Sequence, residues 1–531
     1  TLFTAASVSG GIEIVYGGQT PDRALTALMN PIVGARLDLN RQYGAHHTAN
    51  IGAFGRSALS GGNLHTASYL ELNSDTLPNV VTFWDGNINL TGLANGSNTF
   101  FNIEGGGAGT NLGDTVLGTQ SPGGDQVVNP QSMLIIEGAI TGSGGFAKIG
   151  SRELRLTGNN TYTGDTILSR QTGTNQPVDP YQANQVHTEL FGTTLYGQGR
   201  LAGTANIILE RKGTLRVDNT TSLDGTNVNG AATTNLGANL SNRINDSATI
   251  KLRDGYLVFD SGTTGVTETL GLVRSETGNS HIIINPTNGA GVNTTITLTQ
   301  LQRVAGSALV LGSWDSTAVF GTSIPSGEDS VRFALTNSAG LNLVGAGSGT
   351  ARKVAVGVFS GSAPMPTDDP YLYANAQAGL QYRNNLFFAG RHFTTLDGGY
   401  LRPLDDSEYY TDLANIAGAT GQNLNVGEQA LVLTADLNVN ALRFGNLDDN
   451  LGDTPGGTIP GTSLVNWQQT TTSLVLDDSA TLRVATGMIL FANMGQGMNQ
   501  DMQSYVNGGT IDFGASEGII SNINGFYRTQ D

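Results

Sequence analysis

The sequence predicts an all-β protein, and three observations lead to this fold class. Apolar and polar residues alternate in short runs, which is the pattern of strands that bury one face. Glycine is abundant, with 74 residues in a chain of 531, and Asn, Thr and Ser are frequent, so turns are favoured along the whole sequence. Helix signals are scarce: one short helix is predicted at Thr20 to Asn30, between Pro21 at its first position and Pro31 beyond its end.

Four segments share one apolar spacing, which indicates an internal repeat. In ANIILERKGTLRVD the apolar residues stand at relative positions 0, 2, 8 and 10, and SLVLDDSATLRVATG repeats these offsets. ATIKLRDGYLVFDSG has a shorter turn, where we predict that Gly255 takes the positive φ of a tight corner. ALVLTADLNVNALRF, residues 430–444, is a looser copy. The predicted buried sets are Ile207, Leu209, Leu215 and Val217; Ile250, Leu252, Leu257 and Phe259; and Leu474, Leu476, Leu482 and Val484.

Strands of this kind fit either a parallel coil, in which each turn stacks on the one before it, or an antiparallel meander. Two features favour the coil. Stacked turns align like side chains into ladders, which suits the many Asn, Thr and Ser residues at the corners. The spacers are irregular and differ from the Asn-Gly hairpins that a meander favours. The meander stays open as the alternative.

The segment GGFAKIGSRELRLTGNNTYTGDTIL, residues 144–168, carries a more specific pattern. A glycine-rich lead and alternating leucines precede Gly-x-Asn-x-Tyr-x-Gly-x-Thr, and this order resembles the autotransporter-associated β-strand repeat of large bacterial surface proteins. The resemblance extends over residues 132–345 and 413–520, and it implies a right-handed parallel β-helix displayed outside the cell. The matching positions are Leu154, Leu156, Gly158, Asn160, Tyr162, Gly164 and Thr166.

We therefore predict a right-handed parallel β-helix with loop insertions and a small non-repeating β module. Four regions are expected: an N-terminal β region with a long glycine-rich loop at 1–131, a repeat region at 132–350, an aromatic-rich non-repeating insertion at 351–412, and a C-terminal repeat region at 413–531. Stretches rich in Gly, Pro and polar residues interrupt the pattern and are predicted as outward loops. They span residues 105–131, 220–240, 361–370 and 446–471.

Bulk composition argues against several function classes. The net charge of −17 and the presence of only four lysines disfavour general binding to nucleic acids. No apolar run approaches the ~20 residues of a transmembrane helix, and the first residues lack the pattern of a signal peptide. The absence of cysteine excludes disulfides and thiolate metal sites, and it suits a bacterial protein that is exported unfolded. We expect an extracellular or cell-surface location.

Acidic residues are the first candidates for chemistry. Because adjacent residues on a strand point to opposite faces, one acidic pair cannot converge on a substrate by itself, and solvated loop charge is the favoured interpretation. In NLDDNLGDTPGG, the residues Asp448, Asp449 and Asp453 form a weak calcium candidate without EF-hand spacing. No other cofactor is predicted. The acidic pairs are Asp368/Asp369, Asp405/Asp406, Asp448/Asp449 and Asp477/Asp478.

Other motifs carry little weight, and no catalytic or cofactor-binding residue is predicted. GASEG, residues 514–518, fits a nucleophile-elbow pattern, and Gly197, Gly199 and Ala202 fit a dinucleotide fingerprint, but strand sequence follows each in place of the required helix. The histidines lack a metal-binding spacing. They are His46, His47, His65, His187, His281 and His392.

Aromatic residues are concentrated in residues 354–410. Such residues form platforms for sugar rings or anchor a protein interface. They equally pack a non-repeating module against a coil, and this is the interpretation that we favour. The interface or ligand candidates are Tyr371, Tyr373, Phe387, Phe388, Tyr400, Tyr409 and Tyr410.

Taken together, these features predict a non-enzymatic structural or adhesive protein. An uncapped terminal turn of a coil exposes unpaired backbone and apolar core, and GIISNINGFYRTQD has no obvious polar cap. We therefore expect head-to-tail association with copies of the same chain into a fibre or lattice. Surface polysaccharide is a further candidate partner. The alternatives are a polysaccharide-cleaving or polysaccharide-binding protein, which needs converging carboxylates or a carboxylate with an arginine, and a phage-type fibre, which would form a trimer.

Overall fold

The structure, a computed structural model, is predominantly β, which confirms the all-β prediction. The predicted helix at Thr20 to Asn30 lies outside the described residues. So do residues 106–131, 220–239, 363–370 and 446–471 of the predicted loops. The described residues are 13–16, 36–39, 69–74, 81–84, 87–90, 98–105, 133–136, 138–149, 153–169, 192–211, 213–219, 240–262, 265–286, 291–313, 318–322, 329–362, 390–427, 430–445, 472–492 and 504–522.

The chain divides into two compact units. Unit 1 comprises residues 1–274 and 296–299, and unit 2 comprises residues 275–295 and 300–531. The region boundaries predicted from the repeats stay predictions. The strands of unit 1 are β1 Glu13–Tyr16, β2 Arg36–Leu39, β3 Tyr69–Ser74, β4 Val81–Trp84, β5 Ile88–Asn89, β6 Asn98–Gly105, β7 Met133–Ile136, β8 Ile140–Thr141, β9 Gly145–Ile149, β10 Glu153–Leu156, β11 Asn159–Asn160, β12 Thr166–Ser169, β13 Thr193–Leu195, β14 Arg200–Leu201, β15 Asn206–Glu210, β16 Thr214–Asp218, β17 Thr249–Arg253 and β18 Tyr256–Asp260.

The boundary between the units falls inside β19, Thr267–Asn285, and β20, Asn293–Arg303. Short 3₁₀ segments occur in unit 2 at Gly349–Ala351, Asp406–Glu408 and Leu413–Ala419. The remaining strands are β21 Ser307–Ser313, β22 Val319–Phe320, β23 Ser330–Asn337, β24 Leu343–Val344, β25 Val354–Ala355, β26 Val358–Ser362, β27 His392–Asp397, β28 Tyr400–Pro403, β29 Asn423–Asn425, β30 Ala430–Leu433, β31 Leu437–Val439, β32 Ala441–Phe444, β33 Thr472–Leu476, β34 Thr481–Val484, β35 Met488–Phe491, β36 Ser504–Asn507, β37 Thr510–Asp512 and β38 Ile519–Asn522.

Unit 1 is built from parallel ladders. One ladder joins β1, β2, β3, β6, β9, β12, β15 and β17, and a second joins β4, β7, β10, β13, β16 and β18. From β9 to β18 the long strands of the chain enter the two ladders alternately, and the short pairs β5–β8 and β11–β14 lie between them. Each ladder therefore gains its next strand after the chain has passed through the other.

The predicted buried sets are confirmed. All twelve residues of the three sets are 3% exposed or less. In each case the four residues divide between two consecutive strands, as with Leu474 and Leu476 in β33 and Leu482 and Val484 in β34. The alternation identifies the inward face because successive side chains on a strand point to opposite sides of the sheet.

The segment that resembles a known repeat explains why its polar residues stand where they do. Asn160 is fully buried, and its side-chain Oδ1 accepts from Ile140 N at 2.9 Å. Its Nδ2 donates to Gly158 O at 3.0 Å and to Arg200 O at 2.9 Å. One amide thus joins the neighbouring strands β8, β11 and β14 at a corner. Gly164 is required for a different reason, because a Cβ there would lie 2.3 Å from Gly145 N.

Buried hydroxyl groups form a hydrogen-bonded chain next to Asn160. The Tyr162 hydroxyl bonds to Thr166 Oγ1, which lies 3.0 Å from Thr204 Oγ1. The Thr204 hydroxyl also donates to Gly164 O at 2.9 Å. Burial raises the pKa of Tyr162 well above its ordinary value, so this phenol stays protonated at physiological pH. Thr166 and Thr204 are not at equivalent positions, because the register partners of Thr166 are Phe146 and Ile207, so this contact is not a ladder of like side chains.

One local prediction is wrong. Gly255 does not take a positive φ; Asp254 does, with φ of 65°. Gly255 is needed because a Cβ at that position would lie 2.5 Å from the Cβ of Leu209. In this short turn, Asp254 takes the left-handed conformation, which Asp tolerates better than most residues. Gly255 is needed because the neighbouring strand approaches too closely for a side chain.

Unit 2 combines parallel and antiparallel pairing. β21 pairs in parallel with β19 and β26, whereas β27 pairs antiparallel with β26 and β28, and β23 with β28. Farther along the chain, three parallel ladders are formed by β29–β32–β35–β38, β30–β33–β36 and β31–β34–β37. Their apolar residues share one core. Its members include Leu424, Leu431, Leu437, Leu442, Phe444, Leu474, Leu482, Ile489 and Phe491.

Candidate functional site

Three of the predicted interface aromatics lie in the described residues, and each contacts its own unit. Tyr409 is only 3% exposed, and its ring centroid lies 6.4 Å from that of Phe393. Tyr410 is half-buried and donates its hydroxyl to Asn415 O at 2.7 Å. Tyr400 is half-buried, with the Arg332 guanidinium 5.6 Å from its ring centroid. The other four candidates, Tyr371, Tyr373, Phe387 and Phe388, lie outside the described residues.

An ion-pair network surrounds the Asp406–Glu408 turn, and we call it the Arg402 network. Arg402 donates from Nη1 and Nη2 to the two carboxylate oxygens of Glu408 at 2.8 and 2.9 Å, and from Nη2 to Asp397 Oδ2 at 2.8 Å. Arg352 contacts the same two carboxylates, at 2.6 Å to Asp397 and 3.2 Å to Glu408. Asp405 N donates to Glu408 Oε2 at 2.9 Å, which closes a capping box.

The electrostatics of the network keep both inner carboxylates ionised. Burial alone would raise the pKa of Glu408, but the hydrogen bonds from Arg402 and the Asp405 N–H outweigh it and hold this pKa below its ordinary value. The hydrogen bond from Arg402 likewise lowers the pKa of Asp397. Because each carboxylate is already paired with arginine, the arrangement stabilises a turn and leaves neither group placed as a general acid or base.

The segment of residues 391–409 covers the outer face of β32. Arg443 is fully buried and donates from Nε to Arg391 O at 2.8 Å and from Nη1 to Asn425 Oδ1 at 3.2 Å. Its guanidinium also lies 5.8 Å from the Tyr409 ring centroid. Tyr409 therefore packs a module against a parallel ladder, as the favoured interpretation of the aromatic residues expects.

The acidic pairs of the described residues serve local roles. Asp405 takes part in the capping box, and Asp477 accepts from Ser479 N at 3.1 Å and from Ser479 Oγ at 2.9 Å in the turn after β33. Asp368, Asp369 and the calcium candidates Asp448, Asp449 and Asp453 lie outside the described residues. Within the described part of the chain, no group of three or more His, Asp or Glu side chains could hold a metal ion.

The two motif matches are followed by strands. Ser516 of the GASEG segment donates its hydroxyl to Ala485 O at 2.7 Å, and β38 begins at Ile519. β14 and β15 follow Gly197 and Gly199. Neither match has the helix that its chemistry requires.

The described histidines occupy interior or half-buried positions. His281 is fully buried, and the ring centroid of the half-buried His392 lies 6.2 Å from that of Tyr409. His46, His47, His65 and His187 lie outside the described residues.

Sequence reasoning missed a buried charged cluster in unit 1. Arg243 and Glu268 are 0% and 1% exposed. The Glu268 carboxylate accepts from Arg243 N and Ile244 N at 2.9 Å each, and Arg243 donates from Nε to Gly199 O at 2.8 Å and from Nη1 to Asn219 Oδ1 at 3.0 Å. Desolvation by burial raises the pKa of Glu268 to about 7 and lowers that of Arg243 to about 10. Glu268 faces inward in β19 with the same parity as Leu270, whereas Arg243 lies outside the strands, and a search for alternating apolar residues selects neither.

The last strands of the three C-terminal ladders form what we call the terminal layer: β36, β37 and β38. Register places Leu442, Ile489 and Ile520 in one row. Leu442 and Ile489 are 0% and 1% exposed, whereas Ile520 is 58% exposed. Within the described residues, no further strand pairs with the outer edges of these three strands. Among the described residues, therefore, no strand covers the apolar core at this layer.

Charges in the terminal layer are engaged within the unit. The only charged residues in 504–522 are Asp512 and Glu517. Arg483 Nε donates to Asp512 Oδ2 at 2.8 Å. Glu517 accepts from Arg303 Nη2 and from Gly306 N, both at 2.6 Å. The layer thus presents backbone and apolar groups without an unpaired charge.

The opposite side of the same ladders is covered. The 3₁₀ segment Leu413–Ala419 precedes β29, and Ala419 is fully buried in the core that the ladders share. Leu413 and Ile416 pack against this core. The two sides of the C-terminal ladders therefore differ, since one is capped by this chain and no described strand covers the other.

In comparisons with known proteins, no family model, curated protein or solved structure matches the chain.

Proposed function

We propose that this protein is a non-enzymatic structural or adhesive component of a bacterial cell surface. It is a right-handed parallel β-helix that associates head to tail into a fibre or lattice and presents loops. The observation that carries the proposal is the alternation of strands between parallel ladders, which occurs from β9 to β18 in unit 1 and, separately, from β29 to β38 in unit 2.

The parallel ladders support the coil and disfavour the meander. Consecutive strands of a parallel ladder require a crossover connection, and in unit 1 from β9 to β18 that connection passes through the other ladder. A chain that returns in the same direction after visiting a second ladder winds as a solenoid. The right hand comes from the resemblance of residues 144–168 to the autotransporter-associated repeat.

The polar residues of that repeat support the same reading. Asn160 bonds to both adjacent strands through one amide, and Thr166 contacts Thr204 on the next turn. Such side chains are useful at the corners of a coil, because they satisfy buried backbone and hydroxyl groups of the adjoining strands.

A structural role is favoured over catalysis by the state of the charged groups. The polysaccharide-cleaving alternative needs two carboxylates, or a carboxylate and an arginine, that converge on a groove. In the Arg402 network, Asp397 and Glu408 are bound by Arg402 and Arg352, and Glu268 is buried against backbone N–H groups. These groups stabilise turns and corners.

Location is supported by composition. A chain without cysteine passes an export channel with no risk of premature disulfides, and a net charge of −17 keeps assembled particles apart. Among the helices of the described residues, none is long and apolar enough to cross a membrane.

Electron microscopy of the purified protein over a range of concentrations tests the proposal. We expect filaments or sheets that grow with concentration. Particles that stay monomeric at every concentration would contradict self-association. Incubation with acidic polysaccharides provides the second arm, because release of unsaturated oligosaccharides would replace the structural assignment with an enzymatic one.

A further inference from the structure

We infer that the terminal layer is the docking surface for a second copy of this chain, with Ile520 buried at the contact. This inference rests on the proposed function and names the surface that carries it. Ile520 is 58% exposed although it continues a row whose other members are buried. An apolar side chain in that position is stabilised when a further layer removes it from water.

The backbone of the terminal layer defines the kind of partner. β36, β37 and β38 each pair in parallel with the preceding strand of their ladder. Their outer edges present N–H and C=O groups that a further strand can join. A second copy stacked head to tail would continue each ladder in the same direction, so we look for the free edge of a parallel ladder on that copy.

A second copy offers such an edge at β1. β1 is the first strand of the longest ladder of unit 1, and within the described residues it pairs with β2 alone. The first strand of one parallel ladder and the last strand of another present complementary edges, so both keep one direction when they join. A contact of this kind is heterologous and leaves an open edge on each copy for the next.

The other end of the C-terminal ladders cannot serve in its place. Ala419 of the segment Leu413–Ala419 is fully buried in the core at that side, with Leu413 and Ile416 packed against it.

The distribution of charge also favours the terminal layer as the contact surface. The whole chain carries −17, and two copies repel each other, but Asp512 and Glu517 of the terminal layer are paired with Arg483 and Arg303. The layer is the place where an acidic copy meets a neutral surface.

A matched pair of variants tests the surface. Val432 is 59% exposed and lies on β30, away from the terminal layer, so Ile520→Asp and Val432→Asp introduce the same charge at equal exposure. Sedimentation velocity over a concentration series measures association, and circular dichroism checks the fold. We expect wild type and Val432→Asp to associate equally and Ile520→Asp to weaken association about tenfold or more.

The outcomes separate the two proposals. If wild type and Ile520→Asp associate equally, the docking surface lies elsewhere, while the proposed function stands. If wild type is monomeric at every concentration, self-association itself is wrong. A folded Val432→Asp that loses association as strongly as Ile520→Asp would show that added charge, rather than the terminal layer, is responsible, and it would overturn the inference.

Cross-linking tests the direction of the contact, because the chain has no cysteine of its own. Ser521→Cys places a thiol on β38 and Val15→Cys places one on β1. With a short bis-maleimide, a mixture of the two variants should form a cross-linked species that neither forms alone. Dimers of Ser521→Cys alone would indicate a tail-to-tail contact and overturn the head-to-tail pairing.

Discussion

Ile489 and Ile520 face each other in adjacent parallel strands, yet Ile489 is 1% exposed and Ile520 is 58% exposed. The two residues have the same side chain, the same strand position and the same row. The difference is that a strand lies on both sides of Ile489 and on one side of Ile520. The exposed fraction of a side chain in this row therefore depends on whether a strand lies on both sides of it, and not on the residue type.

Truncation along this row should have unequal costs. Leu442→Ala removes a side chain that is fully buried, and we expect a loss of about 2–5 kcal/mol in the free energy of unfolding. Ile520→Ala removes a mostly exposed side chain and should cost less than about 1 kcal/mol in the monomer. Chemical denaturation of both variants at low protein concentration measures this. Equal losses would mean that the terminal layer is covered in solution.

Asn160 should tolerate no acidic replacement. Asn160→Asp removes the amide N–H groups that donate to Gly158 O and Arg200 O, and it leaves a carboxylate at a fully buried position. We expect a loss of about 3 kcal/mol or more. Asn159→Asp is the matched control, because Asn159 is exposed and makes the same chemical change. Thermal unfolding should separate the two variants clearly; similar melting temperatures would refute the bridging role of the amide.

Glu268 should make unit 1 less stable as pH rises towards neutrality. Burial raises the pKa of Glu268 from 4.5 to about 7, so its contribution is fully present below pH 4.5 and is lost as pH rises through 7. The groups around it are Arg243, which itself lies near Asp218 and Arg200, and Asp246. The full effect is on the order of 3 kcal/mol.

Hydrogen exchange of peptides from residues 240–270 measures this locally. Protection should fall between pH 5 and pH 8 after correction for the intrinsic exchange rate. Glu268→Gln cannot ionise and should remove the pH dependence, although its amide can accept from only one of the two N–H groups and lowers protection at every pH. A wild-type profile that is flat with pH would show that the carboxylate has an ordinary pKa.

The Arg402 network should stabilise unit 2 at neutral pH and lose this effect at acid pH, which is opposite to the pH dependence expected for Glu268. The pKa values of Asp397 and Glu408 are lowered in the folded state, so their stabilising effect is present above the ordinary values near 4 and is lost as pH falls through the lowered values. Arg402→Lys keeps the charge but loses the two-pronged contact with Glu408. We expect a cost of about 2 kcal/mol at pH 7 that shrinks at acid pH. A constant difference between pH 7 and pH 2 would mean that packing, and not ion pairing, is lost.

Sequence periodicity predicted the inward rows because successive side chains on a strand point to opposite faces of the sheet. Ile207, Leu209, Leu215 and Val217 are all fully buried for this reason. The buried charged pair did not follow from apolar periodicity. Glu268 faces inward in β19, but it is a charged residue at a position where the pattern predicts an apolar one, and Arg243 lies outside the strands. Their burial depends on contacts between residues distant in sequence, such as the bond from Arg243 Nε to Gly199 O.

Two further features were beyond local patterns. Asp254, and not Gly255, takes the positive φ, because the approach of Leu209 from a neighbouring strand decides which residue must lack a side chain. Ile520 reads as an ordinary strand residue, since exposure there depends on the absence of a next layer among the described residues. The sequence predicted that a terminal turn without a polar cap would expose apolar core. It could not identify Ile520 as the exposed residue.

The position of the segment Leu413–Ala419 in the sequence also sets the order in which the C-terminal ladders are synthesised. It precedes β29, so during synthesis the covered side leaves the ribosome before any later strand. Each newly made strand then meets a finished template, and β32, β35 and β38 can be added in order without waiting for distant sequence. We expect the C-terminal ladders to fold vectorially, with each strand that emerges pairing to a strand that is already in place.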